Sequence, residues 1–134
     1  MMRSLLRSPE TRTVEYESLV RCESASIPGV QYNIRRMSFG ARMELSRKIR
    51  ALSKQVEFLS AGSDVEQHLE ANVLSAEIDD VFLSWGLVEI EGLTIDGDPA
   101  TPELLAVKGP DSLAREIVDA IRGQCGLGEE ERKN

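Results

Sequence analysis

The chain has 134 residues, 41% of them hydrophobic and 29% charged, and a formal net charge of −7. A chain of this length folds as one domain that buries roughly two-thirds of its unfolded surface, so it needs neither a disulfide framework nor a structural metal. No run of apolar residues is long enough to cross a membrane, and Leu5 and Leu6 alone do not make the apolar stretch of a signal peptide, so a cytosolic protein is expected.

The charge is unevenly spread. Residues 1–54 hold 11 Lys or Arg against 5 Asp or Glu, whereas residues 55–134 hold 5 against 18, so opposite parts of the chain can attract each other or a neighbouring copy. The acidic total argues against nucleic acid as a partner, because phosphate binding needs an uncompensated basic face. The one basic cluster, between Arg35 and Lys54, reads as a solvated helix face paired with the acidic half. Cys22 and Cys125 stand far apart, outside any CxxC spacing, and read as small core or boundary thiols.

In chain order, residues 1–12 are polar, basic and broken by Pro9, which predicts a flexible N-terminal arm before a single globular domain over residues 13–128. Apolar and polar residues alternate in Thr13–Tyr16 and again in Val30–Arg35, the period of strands with one wet face, with Ser24, Ser26, Pro28 and Gly29 as the turn between them. Ser38 offers an N-cap to a helix whose stripe is Met43, Leu45, Ile49, Leu52, Val56 and Leu59 and which stops at Gly62. Ser63 and Glu66 form a capping box for a second helix, over 64–85, whose stripe is Val65, Leu69, Val73, Leu74, Ile78, Val81, Phe82 and Trp85. A connection of only Ala61-Gly62-Ser63 makes the two helices an antiparallel hairpin.

Past Gly86, the runs on either side of Glu91-Gly92 predict a small β-hairpin ending in an Asp-Gly turn at Asp96-Gly97. Thr101-Pro102-Glu103 starts a short helix stopped by Gly109-Pro110, and a last helix begins near Asp111, with Leu113, Ala114, Ile117, Val118 and Ile121 inward. Residues 129–134 are a charged tail. The expected fold class is α+β, mainly α: an antiparallel helical hairpin, a C-terminal helix and a small antiparallel sheet.

Candidate chemistry is sparse. His68 has no second His or Cys at ligand spacing, the acidic pairs Asp79-Asp80 and Asp96-Gly97-Asp98 lack the rest of a calcium loop, and no phosphate-binding, dinucleotide-binding or nucleophile-elbow motif occurs, so neither enzymatic activity nor a cofactor is expected. Val65, Val73 and Phe82 lie away from the narrowest apolar line of the second helix and widen its face beyond one helix-to-helix seam, as a groove or an oligomer seam requires. With Trp85 and the cations Arg42, Arg47 and Arg50, they are the candidate partner-binding residues; for Phe82 and Trp85 the alternative is that they seal the core where the second helix meets the hairpin after Gly86.

The wording of several segments adds a second line of inference. GVQYNIRRMSFGARMELSRKIR, the acidic helix ending FLSWGLVEIEGLTIDG, ATPELL, LAREIVDAI and the closing CGLGEEERKN, spanning residues 29–134, resemble the small tail assembly chaperones of long-tailed bacteriophages. The resemblance implies a mainly helical protein of the host cytoplasm that binds the phage tape-measure protein and delivers it for tail tube assembly, with no catalytic residues. Keeping a long apolar helical chain in solution calls for a homo-oligomer or several copies per client, each with an apolar helical face and a charged exterior. A structural virion component of the phage tail or neck is the alternative; a nucleic-acid-binding regulator would rest on the basic cluster alone.

Overall fold

The computed structural model describes residues 11–12 and 19–125, a mainly helical α+β fold with four helices and two small antiparallel sheets among those residues. The expected strand at Thr13–Tyr16, the charged tail and most of the N-terminal arm lie outside them.

Strand β1 (Leu19–Glu23) pairs antiparallel with β2 (Gln31–Arg35), from Leu19 opposite Arg35 to Glu23 opposite Gln31. The Ser24–Gly29 turn falls where its Ser, Pro and Gly residues place it, closed by the Ser24 N–H donating to the Val30 carbonyl at 2.9 Å. Strand β1 was not among the expected strands, although Val20 and Cys22 alternate inward between exposed Leu19, Arg21 and Glu23.

Helix α1 (Phe39–Ser60) begins at Ser38, whose hydroxyl accepts from the Ala41 N–H at 3.2 Å. Helix α2 (Val65–Gly86) is capped by Asp64, whose carboxylate accepts from the Glu66 N–H at 3.2 Å. The cap is thus one residue past the expected Ser63, because an anionic Asp at the N-cap also meets the positive end of the helix dipole. Four residues join the helices, and residues near 41–48 face 80–85 while 54–59 face 70–74, the antiparallel arrangement expected.

The segment after Gly86 corrects the expected β-hairpin. Strand β3 (Leu87–Glu91) does not fold back on residues 93–95; it adds to the first sheet beside β2, giving the order β1-β2-β3. A bulge shifts the register between Asn33 and Ile34, so Leu87 and Ile90, three apart, both turn into the core, which strict alternation would forbid. The Asp-Gly turn does form: β4 (Thr94–Ile95) and β5 (Asp98–Pro99) pair across Asp96 and Gly97, both at positive φ as such a two-residue turn demands.

Helix α3 (Pro102–Lys108) is capped by the Thr101 hydroxyl at 3.1 Å from the Leu104 N–H, and α4 (Asp111–Gln124) buries Leu113, Ile117, Val118 and Ile121 as its spacing predicts. These side chains join Val30, Ile34, Phe82 and Leu105 in one core, which lies between the sheet, the C-terminal half of α2 and α4. At Gly86 α2 packs tightly against α4: a Cβ there would stand 2.7 Å from Ile121 Cδ1. Gly86→Ala should therefore cost about 1–3 kcal/mol by overpacking, despite the lower chain entropy of Ala, as urea unfolding will measure.

Candidate functional site

Helix α1 has a single fully buried side chain, Leu45; Ile49, Leu52, Val56 and Leu59 are half-buried. The sheet, α3 and α4 pack near the other end of the hairpin, so its far half projects with its seam partly open. Two concavities follow the seam between α1 and α2. One, about 690 Å³, has Ala41, Val81 and Trp85 in its walls with Arg35, Lys48 and Asp80 around them; the other, about 470 Å³, is walled by Phe58, Leu59 and Leu74 with Lys54 and Glu70 beside them. At 100° per residue Ala41, Lys48 and Leu59 share one side of α1, and Leu74, Val81 and Trp85 one side of α2; the α1 wall also carries Lys54, and the α2 wall Glu70 and Asp80. Trp85 is held at one end by its own carbonyl, which accepts from Arg35 Nε at 2.9 Å.

The predicted partner-binding residues do not form one surface. Phe82 is fully buried, with the Arg122 guanidinium 4.4 Å from its ring centroid, and belongs to the core rather than to a face open to a partner. Trp85 lines the groove, half-buried. Val65 and Val73 are 71% and 54% exposed on the outer side of α2, turned away from α1. Leu69, expected in the seam, stands beside them at 58%, and Met43 of the predicted α1 stripe is exposed as well. Arg42, Arg47 and Arg50 are all exposed, but it is Lys48 and Lys54 that flank the groove. Phe58, 74% exposed, went unnoticed because it lies off the α1 stripe.

Charge is segregated between the two helices. Helix α1 carries five cations, among them Arg47, Arg50 and Lys54, against Glu44 and Glu57; α2 carries five carboxylates, Glu66, Glu70, Glu77, Asp79 and Asp80, and no Lys or Arg. Among the described residues no ion pair within 4.0 Å joins α1 to α2; Asp79 pairs instead with Arg122 of α4 at 3.2 Å.

The densest polar cluster holds the fold together. Glu116 of α4 accepts from the Ser24 hydroxyl (2.9 Å), the Ala25 and Ser26 N–H groups (3.0 and 3.1 Å) and the Tyr32 hydroxyl (3.1 Å), tying α4 to the β1–β2 turn. Burial pushes its pKa up, but the hydrogen bonds from Ser26, Ala25 and Ser24 prevail and hold it below the usual carboxylate range. Burial and the Glu116 charge push the Tyr32 phenol well above its ordinary value, and burial raises both cysteine thiols, Cys22 half-buried and Cys125 fully so. Among the described residues, no three or more His, Cys, Asp or Glu side chains are grouped to hold a metal ion, and no helix is long and apolar enough to cross a membrane. His68 is exposed, against the Gly62 carbonyl.

Comparison with protein-family models, with curated proteins and with solved structures finds no match for this chain.

Proposed function

We propose that this protein is a tail assembly chaperone of a long-tailed phage, which binds helical stretches of the tape-measure protein in the host cytoplasm and keeps them in solution until the tail tube forms. The observation that carries the reading is the pair of concavities along the α1–α2 seam, one bordered by Val81 and Trp85 and the other by Leu74 and Phe58, each with a lysine of α1 on one wall and a carboxylate of α2 on the other. A groove of this kind takes an amphipathic helix, apolar face down, with the rim charges setting its direction. The resemblance of residues 29–134 to such chaperones supplies the identity of the client.

Trp85 is the only tryptophan and borders the groove, so it reports occupancy directly. Tryptophan-free peptides tiling the tape-measure protein are expected to include several that shift Trp85 emission to the blue at micromolar concentration. Ser84→Arg, at an exposed position on the groove wall, should weaken those peptides at least tenfold while leaving the fold unchanged. Emission unaltered by every peptide would count against the groove as the client site.

A further inference from the structure

The two concavities of the seam differ in charge. The larger is bordered by three cations, Arg35, Arg36 and Lys48, against one carboxylate, Asp80; at the smaller, Lys54 and Glu70 balance, and Phe58, Leu59 and Leu74 supply an apolar wall. Arg35 donates through Nε to the Trp85 carbonyl at 2.9 Å, which anchors it at the Trp85 end of the larger concavity. Its terminal nitrogens and the exposed Lys48 ammonium form no hydrogen bond or ion pair with any described residue. Cations held next to the apolar surface of Val81 and Trp85 suit a side chain with an apolar stem and an anionic head.

From this we infer that the larger concavity takes an acidic side chain of the client helix while an apolar side chain of the same helix fills the smaller one, so that client stretches are selected by the spacing of the two. The inference rests on the seam being the client site. Lys48 and Leu59 share one side of α1, and Leu74, Val81 and Trp85 one side of α2, so one helix lying along the seam reaches both concavities. Leu74 stands two turns before Val81 and three before Trp85, a rise of about 10–17 Å. A client helix matches that rise and keeps both side chains on one face when its acidic residue lies about seven or eleven positions from the apolar one. Bulk attraction acts the other way, because a chain of net charge −7 draws in cationic peptides; a preference for an acidic one has to come from the local cations.

Two tryptophan-free amphipathic peptides of about 18 residues, identical but for Glu or Lys placed about eleven positions from a leucine on the apolar face, serve as probes of the full chain, with Trp85 emission as the readout. The Glu peptide should bind roughly tenfold more tightly than the Lys peptide at low salt, and about 0.5 M NaCl should narrow the gap. Moving the Glu to about nine positions from the leucine, on the opposite side of the helix, should remove its advantage. Lys48→Glu, at an exposed position, should abolish or reverse the preference with an unchanged circular dichroism spectrum. Lys54→Glu at the smaller concavity, an equal change in net charge, should leave the preference within about twofold of the parent's. Equal binding of the Glu and Lys peptides, an advantage that survives the shift in spacing, or a preference that Lys48→Glu leaves intact or Lys54→Glu also removes would overturn the inference while leaving the seam as the client site. Trp85 emission unaltered by either peptide would contradict both.

Discussion

Replacing Phe82 by Ala should lower stability by about 3–5 kcal/mol, the largest effect of any single truncation in the hairpin, because the ring is fully buried in the core and supports the Arg122 guanidinium at 4.4 Å. The paired substitution Leu69→Ser/Val73→Ser, on the same helix, should cost less than about 1 kcal/mol, since both side chains already face solvent. Urea unfolding of the two variants distinguishes core from surface: similar losses of stability would mean that the outer stripe of α2 is covered in the folded chain.

Truncating Glu116 to Ala should cost roughly 2–4 kcal/mol near neutral pH, since it strips the acceptor from two hydroxyls and two backbone N–H groups, with Glu116→Gln recovering part of the loss. The pH dependence has a definite sign. A carboxyl whose folded pKa lies below its unfolded value of about 4.5 contributes stability that is complete above pH 4.5 and is lost as pH falls through the folded pKa. The stability gap between the parent and Glu116→Gln should therefore be constant near pH 7 and shrink below about 4.5. A gap that widened with acid would mean that Glu116 is not the ionised acceptor of this cluster.

The parts of the fold that could be read in the sequence are those fixed by local chemistry. Ser38, Thr101-Pro102, Gly109-Pro110 and the short link after Ser60 set the helix ends within a residue or two, and the stripe of α4 names its buried side. Partners distant in sequence could not be read this way. Nothing within residues 87–97 reveals that β3 will pair with Gln31–Ile34 rather than with its own neighbours, because strand pairing is decided by which edge the folded chain leaves open. Strand β1 was missed because only Val20 and Cys22 mark its inner face. Helical spacing placed Leu69 with the seam residues, but periodicity shows that a face is apolar and not whether anything covers it; α3 and α4 reach the outer side of α2 only toward its C-terminal end. Glu116 carries no motif at all, and its role depends on a turn some ninety residues earlier.

The most direct test of the proposed function is co-expression of the chain with the tape-measure protein that the proposal names as its client, scoring the fraction of that client in the soluble lysate and in complex after gel filtration. The groove account predicts that the client is largely insoluble alone, becomes soluble with the parent chain and co-elutes with it, and returns to the pellet with Ser84→Arg. A client equally soluble with and without the chain, with no complex surviving gel filtration at micromolar concentration, would contradict it.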